Sequence, residues 1–600
     1  MTTTKKRVKF IGSQYISGQG VTMKKNITLK GRTFGFTYDE DSDIEMLAMP
    51  DENGVSCFTI IFKWKKPCFP KKISLEWDIP AINVYYMWDA LEKERSLPYF
   101  ARSTQSRVAY GMPLKSLASK KSRNVCTIAL SDVKTPLSLN MRGDCTSGLF
   151  HLGVDFFTMQ AGPFERYETT LWIDERALPL AETVKDAVNR LKAPYECDYP
   201  TPESARLPMY STWYSYMQTI TAEKALEECR EAVKYGMKTI IVDDGWQIER
   251  SDGAYGSCGD WQPVESKFPD MKDFTKSVHA LGMKVMLWYA VPFIGKNAEI
   301  YPEFIGKYLY DLDALNCSVL DPRYPQVRRY LIDTYVNAVE KYNLDGLKLD
   351  FIDRFKTNGV VTADMDYSSV EEAVSALLKQ ISVALHEIKP DIMIEFRQPY
   401  FGPVISTYGN MMRVWDCPLD GNNNKTQTIN LRLVSGKCAV HADMMYWHPC
   451  DAPESVACQL WGTMFAVPQI SARMNTLTAG QSLVLNRFLG YVTENADLLT
   501  RGGLDFTLCE NGYDKIETGD KNKRICLLSH SPVIALDNRN STDAVNLTDS
   551  ETLFIRNDKG EKLSVAAFDC TGKRTVELTT SDVLFTCPVQ FGGMMCVVKH

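Results

Sequence analysis

Hydrophobic and polar positions follow three different rhythms along the 600-residue chain. Up to about residue 190, short runs with a period of two recur at 57–64, 72–77, 83–88, 125–130 and 169–173, between clusters of Gly, Pro, Asp and Lys. That spacing predicts a large antiparallel sandwich. Pro194, Pro200, Pro202 and Pro208 then punctuate a linker. From about residue 207 the rhythm becomes apolar strand-length runs alternating with amphipathic helix-length ones. Strands are expected at 209–216, 238–242, 284–291, 344–351, 392–398, 411–416, 437–443 and 469–473. Helices are expected at 221–234, 270–281, 325–342, 369–388 and 453–466. Eight strands with helices between most of them fit a (β/α)8 TIM barrel of ~290 residues. A doubly wound open sheet is the alternative, but no Gly-x-Gly-x-x-Gly follows the first strand. Beyond about 505 the short strands return, at 524–528, 562–568, 574–578 and 594–598. The expected class is therefore α/β. Residues 1–195 form an N-terminal β-sandwich, 205–502 the central barrel, and 505–600 a small C-terminal antiparallel β-sandwich.

The run from Leu344 to Phe351 breaks the apolar grammar of a buried strand. Leu347, Leu349 and Phe351 share one face, and Lys348 and Asp350 share the other. A lysine and an aspartate turned inward are expensive to bury without partners and a purpose. An internal ion pair that merely fixes register explains one such strand. It does not explain several.

Reading the other strand ends in order gives Trp213 and Tyr214, Asp243 and Asp244, Trp288, Lys348 with Asp350, Glu395 with Arg397, Arg413 with Asp416, and Asp443. In a barrel these ends open onto one mouth. The set is rich in carboxylates, aromatics and fixed cations, and holds no histidine triad, no reactive-thiol arrangement and no phosphate loop. It suits glycoside cleavage, which needs two carboxyl groups about the scissile bond, with Asp350 as nucleophile. Magnesium held by Asp243, Asp350, Glu395, Asp416 and Asp443 is the rival. Lys348 argues against it, because an ammonium beside the key carboxylate repels a cation. Lys348 fits better as a hydroxyl donor that also keeps Asp350 ionised.

Composition narrows the classes. The net charge of −6 argues against nucleic acid as the main partner. No stretch approaches the ~18 apolar residues of a membrane span. The first ten residues lack an apolar segment behind their basic ones, so no signal peptide is expected. The 17 cysteines are scattered singly with no Cys-x-x-Cys pair, which fits a reducing compartment and no zinc. A cytoplasmic protein without a cofactor is the expectation.

Trp213-Tyr214, Asp243-Asp244-Gly245-Trp246, Leu287-Trp288 and Lys348-Leu349-Asp350 together resemble the α-galactosidases of glycoside hydrolase family 36. Arg413-Val414-Trp415-Asp416, His448-Pro449 and Pro468-Gln469-Ile470-Ser471 sit where that family has its later signatures. The resemblance implies a retaining exo-glycosidase that hydrolyses terminal α-linked galactose by double displacement. Asp350 would be the nucleophile and Asp416 the general acid and base. Asp243 and Asp244 would receive the 4- and 6-hydroxyls, and Lys348, Arg397 and Arg413 would line the pocket walled by Trp213, Tyr214 and Trp288. It also implies homo-oligomers in which the sandwich helps to close the site. For the acid role, Asp416 should be raised by Trp415 and by the opposing negative charge. Asp420, in a Pro/Asn/Gly-rich stretch, is its rival.

Two departures bear on specificity. The segment Glu395-Phe396-Arg397-Gln398-Pro399 replaces a Cys- and Gly-rich one, and Trp415-Asp416 replaces Ser-Asp. They leave open an α-N-acetylgalactosaminidase or galactosaminidase, or an enzyme that transfers galactose. From other classes, a magnesium-dependent enolate-stabilising barrel and a sugar-binding protein without turnover are the alternatives.

Overall fold

The computed structural model describes residues 12–16, 21–39, 41–92, 102–195, 199–249 and 253–600; the N-terminal stretch read for a leader lies outside them. The barrel strands are β1 (Met209–Ser211), β2 (Thr239–Val242), β3 (Lys284–Ala290), β4 (Gly346–Asp350), β5 (Met393–Arg397), β6 (Met411–Arg413), β7 (Ala439–His441) and β8 (Gln469–Ile470). They form one parallel sheet in the order β7-β6-β5-β4-β3-β2-β1-β8. A parallel bridge from His441 to Val467, just before β8, closes the ring.

Two layers fill the barrel, and the period of two along each strand dictates both. Met209, Ile241, Met286, Met393, Met411, Ala439 and Val467 form an apolar plug at the lower end. Two residues further along the same faces come Asp243, Trp288, Lys348, Glu395, Arg413 and His441, all buried. Gly346 makes the plug possible. A Cβ there would lie 2.6 Å from the Met393 carbonyl oxygen and 2.9 Å from Met286 Cγ. A charged layer thus rests on a methionine-rich floor.

The helices begin where the sequence signals them. Thr221, Asp270 and Ser369 each cap a helix, accepting from the backbone N–H of Lys224, Asp273 and Glu372. Gly236, at φ 82°, ends the first of these segments. Several expected strands stop early. The chain leaves β1 into the short helix Trp213–Tyr216, and β6 ends at Arg413 rather than at residue 416.

An unexpected helix, Gly421–Val434, fills the stretch read as a loop, with Asp420 as its N-cap. It lacks amphipathic periodicity because its polar residues are buried against three neighbours. Gln427 and Asn430 donate to the carbonyls of Leu91 and Glu92 in the N-terminal part. Lys425 donates to Ser529 in the C-terminal part, and Asn424 donates to the Asp443 carbonyl at the barrel mouth.

The N-terminal part packs a seven-stranded sheet on a six-stranded one around Phe34, Phe58, Phe62, Trp77 and Phe156. The C-terminal part also has two sheets, but it is not purely antiparallel. Lys523–Leu528 pairs with Ser541–Asn546 in parallel, because the chain crosses to the other sheet through Val533–Ala535 before returning. Among the described residues no helix is long and apolar enough to cross a membrane.

Candidate active site

Asp350 ends β4 and is buried. Its Oδ1 accepts from Arg397 Nε at 2.6 Å, from the Tyr400 hydroxyl at 3.1 Å and from the Phe351 backbone N–H at 2.7 Å. Its Oδ2 accepts from Trp288 Nε1 at 3.1 Å. Burial pushes the carboxyl up, but Arg397, then Lys348 and Arg413, outweigh it and hold Asp350 well below the usual carboxylate range. The lysine expected to be its chief partner is turned elsewhere: Lys348 Nζ donates to Asp243 Oδ2 at 2.6 Å. Arg397, expected to line the pocket, takes the place beside the nucleophile candidate.

Asp243 and Asp244 leave β2 on a turn that lets both stay buried among polar partners. Asp243 Oδ1 accepts the Asp244 backbone N–H, and Gly245, at φ 126°, sits so close to Gln218 that a Cβ would be 2.7 Å from its Cα. Asp244 accepts from Gln218 Nε2 at 2.7 Å and Gln247 Nε2 at 2.6 Å. Burial outweighs these neutral donors and pushes Asp244 up to about 6.

Arg413 is fully buried and faces three carboxylates. It donates through one terminal nitrogen to Asp443 Oδ1 and through the other to Asp416 Oδ1 at 2.9 Å, while Nε lies 3.6 Å from Glu395 Oε1. Asp443 also accepts from the Tyr214 hydroxyl at 2.9 Å and the Cys417 backbone N–H at 2.7 Å. Burial pushes Asp443 up to about 6, against the pull of Arg413. Glu395, bound by Gln469 at 2.5 Å, is pushed up by burial too.

Asp416 lies three residues past the end of β6, its side chain 48% exposed at the mouth. The expected rise in its pKa is overturned. Burial of the carboxyl acts upward, but the Arg413 and Arg397 cations prevail, and the net direction is down. Asp420 is spent as a helix cap, accepting the Asn423 backbone N–H at 2.9 Å.

The carboxylates weighed as magnesium ligands are thus each turned toward a fixed cation: Asp243 to Lys348, Asp350 to Arg397, and Glu395, Asp416 and Asp443 to Arg413. Bringing a divalent cation in would place it against three permanent charges. His441 donates to the Ala205 carbonyl and is held neutral, burial pushing it down to about 3.

Residues 203–397 match the profile of the family described as Melibiase. Alpha-galactosidase 2 of Pediococcus pentosaceus is 30% identical over 156 residues, 25% of this chain and 22% of that protein. The chain therefore matches only about a fifth of that relative's length. The fold is similar over its whole extent to α-galactosidase AgaA of Geobacillus stearothermophilus, of glycoside hydrolase family 36. The TM-score is 0.63 at 15% identity, covering 99% of this chain and 86% of that one. A variant of the same protein in complex with raffinose gives 0.63 over 98% and 84%. Residues 203–397 are thus similar to the Melibiase family, and the whole fold is similar to that of a family 36 α-galactosidase.

The match to the family profile ends at Arg397. It takes in Trp213, Tyr214, Asp243, Asp244, Trp288, Lys348 and Asp350, and stops short of Arg413, Asp416 and Asp443. The second half of the mouth is supported by the fold alone. Trp213 is half-buried on the helix after β1, while Tyr214 spends its hydroxyl on Asp443. Trp246, in the Asp-Asp-Gly-Trp motif, is a core residue that donates to the Trp288 carbonyl. Asp260 is structural, receiving the backbone N–H groups of Glu299 and Ile300. The Cys317 thiol is pushed up to about 12 by burial, as befits a packing residue.

Four contributors escaped the sequence reading. Gln218 and Gln247 flank Asp244, and Tyr400 touches Asp350. Tyr255 stacks on Trp288 with ring centroids 6.1 Å apart. Only Tyr400 carried a signal, following the unusual segment that bears Arg397.

Proposed function

We propose that the chain is a retaining exo-glycosidase releasing terminal α-linked galactose. The observation that carries this reading is the state of Asp350. A buried carboxylate at a strand's C-terminal end is kept ionised by Arg397 and by the Trp288 and Tyr400 donors.

Oδ1 accepts three hydrogen bonds and Oδ2 one, so Oδ2 carries the more available lone pair. It attacks the anomeric carbon as the bond to the leaving oxygen breaks, and Asp416 gives that oxygen a proton. Water then attacks the glycosyl ester, losing its proton to the Asp416 carboxylate, and α-galactose leaves. In the free site Arg413 keeps Asp416 in the form the second step needs. A leaving group that covers the exposed Asp416 removes water from it, and burial then favours the protonated form that the first step needs. Asp243 and Asp244 offer acceptor oxygens to the galactose 4- and 6-hydroxyls, over the Trp288 ring.

Proton NMR of an aryl α-galactoside incubated with the protein tests this. α-Galactose should appear first, before mutarotation, and Asp350→Ala should abolish its release. First appearance of β-galactose contradicts the double displacement. Cleavage of the 2-acetamido analogue alone would move the specificity to α-N-acetylgalactosaminides.

A further inference from the structure

The mechanism above uses Arg413 and Asp416 but gives no task to Asp443, a fully buried carboxylate 27 residues beyond Asp416. Its placement is over-determined. The helix Gly421–Val434 grips its backbone on both sides: Asn424 receives the Asp443 N–H at 3.0 Å and donates to its carbonyl at 3.0 Å. Its two carboxylate oxygens are divided between Arg413 on one side, and Tyr214 and the Cys417 N–H on the other. Arg413 is divided in turn, one terminal nitrogen to Asp443 and the other to Asp416.

We propose that Asp443 is a positioning residue that withholds half of the Arg413 guanidinium from Asp416, so that Asp416 can carry and release the proton of the leaving group. The proposal rests on the glycosidase reading and gives the shared arginine a kinetic task.

Every charged group packed around this pair bears on it. Asp416 faces Arg413 from β6, Arg397 from β5, and Asp350 and Lys348 from β4. Asp443 faces Arg413, Asp416, Tyr214 and the Cys417 thiol, and Glu395 shares the same arginine. Three cations crowd Asp416 toward its ionised form. Asp443 is a fully buried carboxylate that draws on the same Arg413 guanidinium from the side away from the nitrogen that Asp416 uses. With Asp443 neutral, Arg413 would be left to Asp416 and the more distant Glu395, and Asp416 would give up its proton at lower pH.

Asp443→Asn tests this in the full-length protein. The measurements are kcat/KM against pH on melibiose, whose sugar leaving group needs a proton, and on 4-nitrophenyl α-galactoside, whose phenolate leaves without one. The variant should lose about tenfold or more on melibiose at pH 7 and far less on the aryl substrate, in keeping with a lost general acid. Its alkaline limb on melibiose should move down by about one pH unit. Equal losses on both substrates with an unmoved limb would reduce Asp443 to a structural residue, and wild-type behaviour on both would overturn the proposal as well. If Asp443→Asn fails to fold, Tyr214→Phe decides. It strips a donor from Asp443 and should shift the limb in the same direction by less, and an unmoved limb there overturns the proposal. A wild-type protein inert on both galactosides removes the glycosidase reading itself.

Discussion

Lys348 and Asp243 form a buried ion pair across two strands, the Lys348 ammonium 2.6 Å from Asp243 Oδ2, with both side chains under 5% exposed. They approach from β4 and β2, with β3 between them. Each therefore fixes the other above the Trp288 backbone, and neither can turn to water. The pair ties together the two strand ends that carry the Asp-Asp and Lys-x-Asp motifs.

Lys348→Met should leave Asp243 as a lone buried charge and cost about 3–5 kcal/mol of stability. Equilibrium urea denaturation measures it. Adding Asp243→Asn should recover much of that loss without recovering turnover. A single variant as stable as the wild type would show that the pair contributes nothing to the fold.

Asp244 predicts a pH dependence of stability. Its folded pKa of about 6 lies above the ordinary carboxylate value, so the native state favours the protonated form. The stabilisation is fully present below the unfolded pKa and is lost as pH rises through about 6. Two pH units of difference amount to about 3 kcal/mol. Urea midpoints should fall between pH 4.5 and 7.5, and Asp244→Asn should flatten part of that slope. A slope identical in the variant would mean that Asp244 is ionised throughout.

The lengths of the strands were less legible than their existence. β2, β4 and β5 stand out as apolar β-rich runs, and the inward Lys348 and Asp350 were visible as a violation of that pattern. What no single strand could disclose was who pairs with whom. Arg397 reaches Asp350 and Lys348 reaches Asp243 because strands distant in sequence are brought to a common level in the ring. The early end of β6 was hidden by apolar Val414 and Trp415, which continue a strand-like run after the backbone has left the sheet. Gly421–Val434 was hidden because Asn, Thr and Gln fill the positions where an ordinary barrel helix shows an apolar stripe.

That helix separates the two candidate acids. Asp420→Ala should cost about 1 kcal/mol through the lost cap and leave kcat near the wild-type value. Asp416→Ala should spare stability and remove turnover of substrates with poor leaving groups. Steady-state kinetics beside thermal melts of both variants makes the comparison, and the opposite outcome would hand the role to Asp420.

The polar helix also bears on how such a protein can be cut and recombined. Gln427 and Asn430 are answered by the backbone at Leu91 and Glu92, Lys425 by Ser529, and Asn430 also by the Tyr513 hydroxyl. Excising either flanking part would strand buried amides or an ammonium beside the two loops that hold Asp416 and Asp443. The barrel is therefore not a cassette that can be lifted out and grafted elsewhere. The flanking parts are built into the ground on which Asp416 stands, and changes in them reach the barrel mouth.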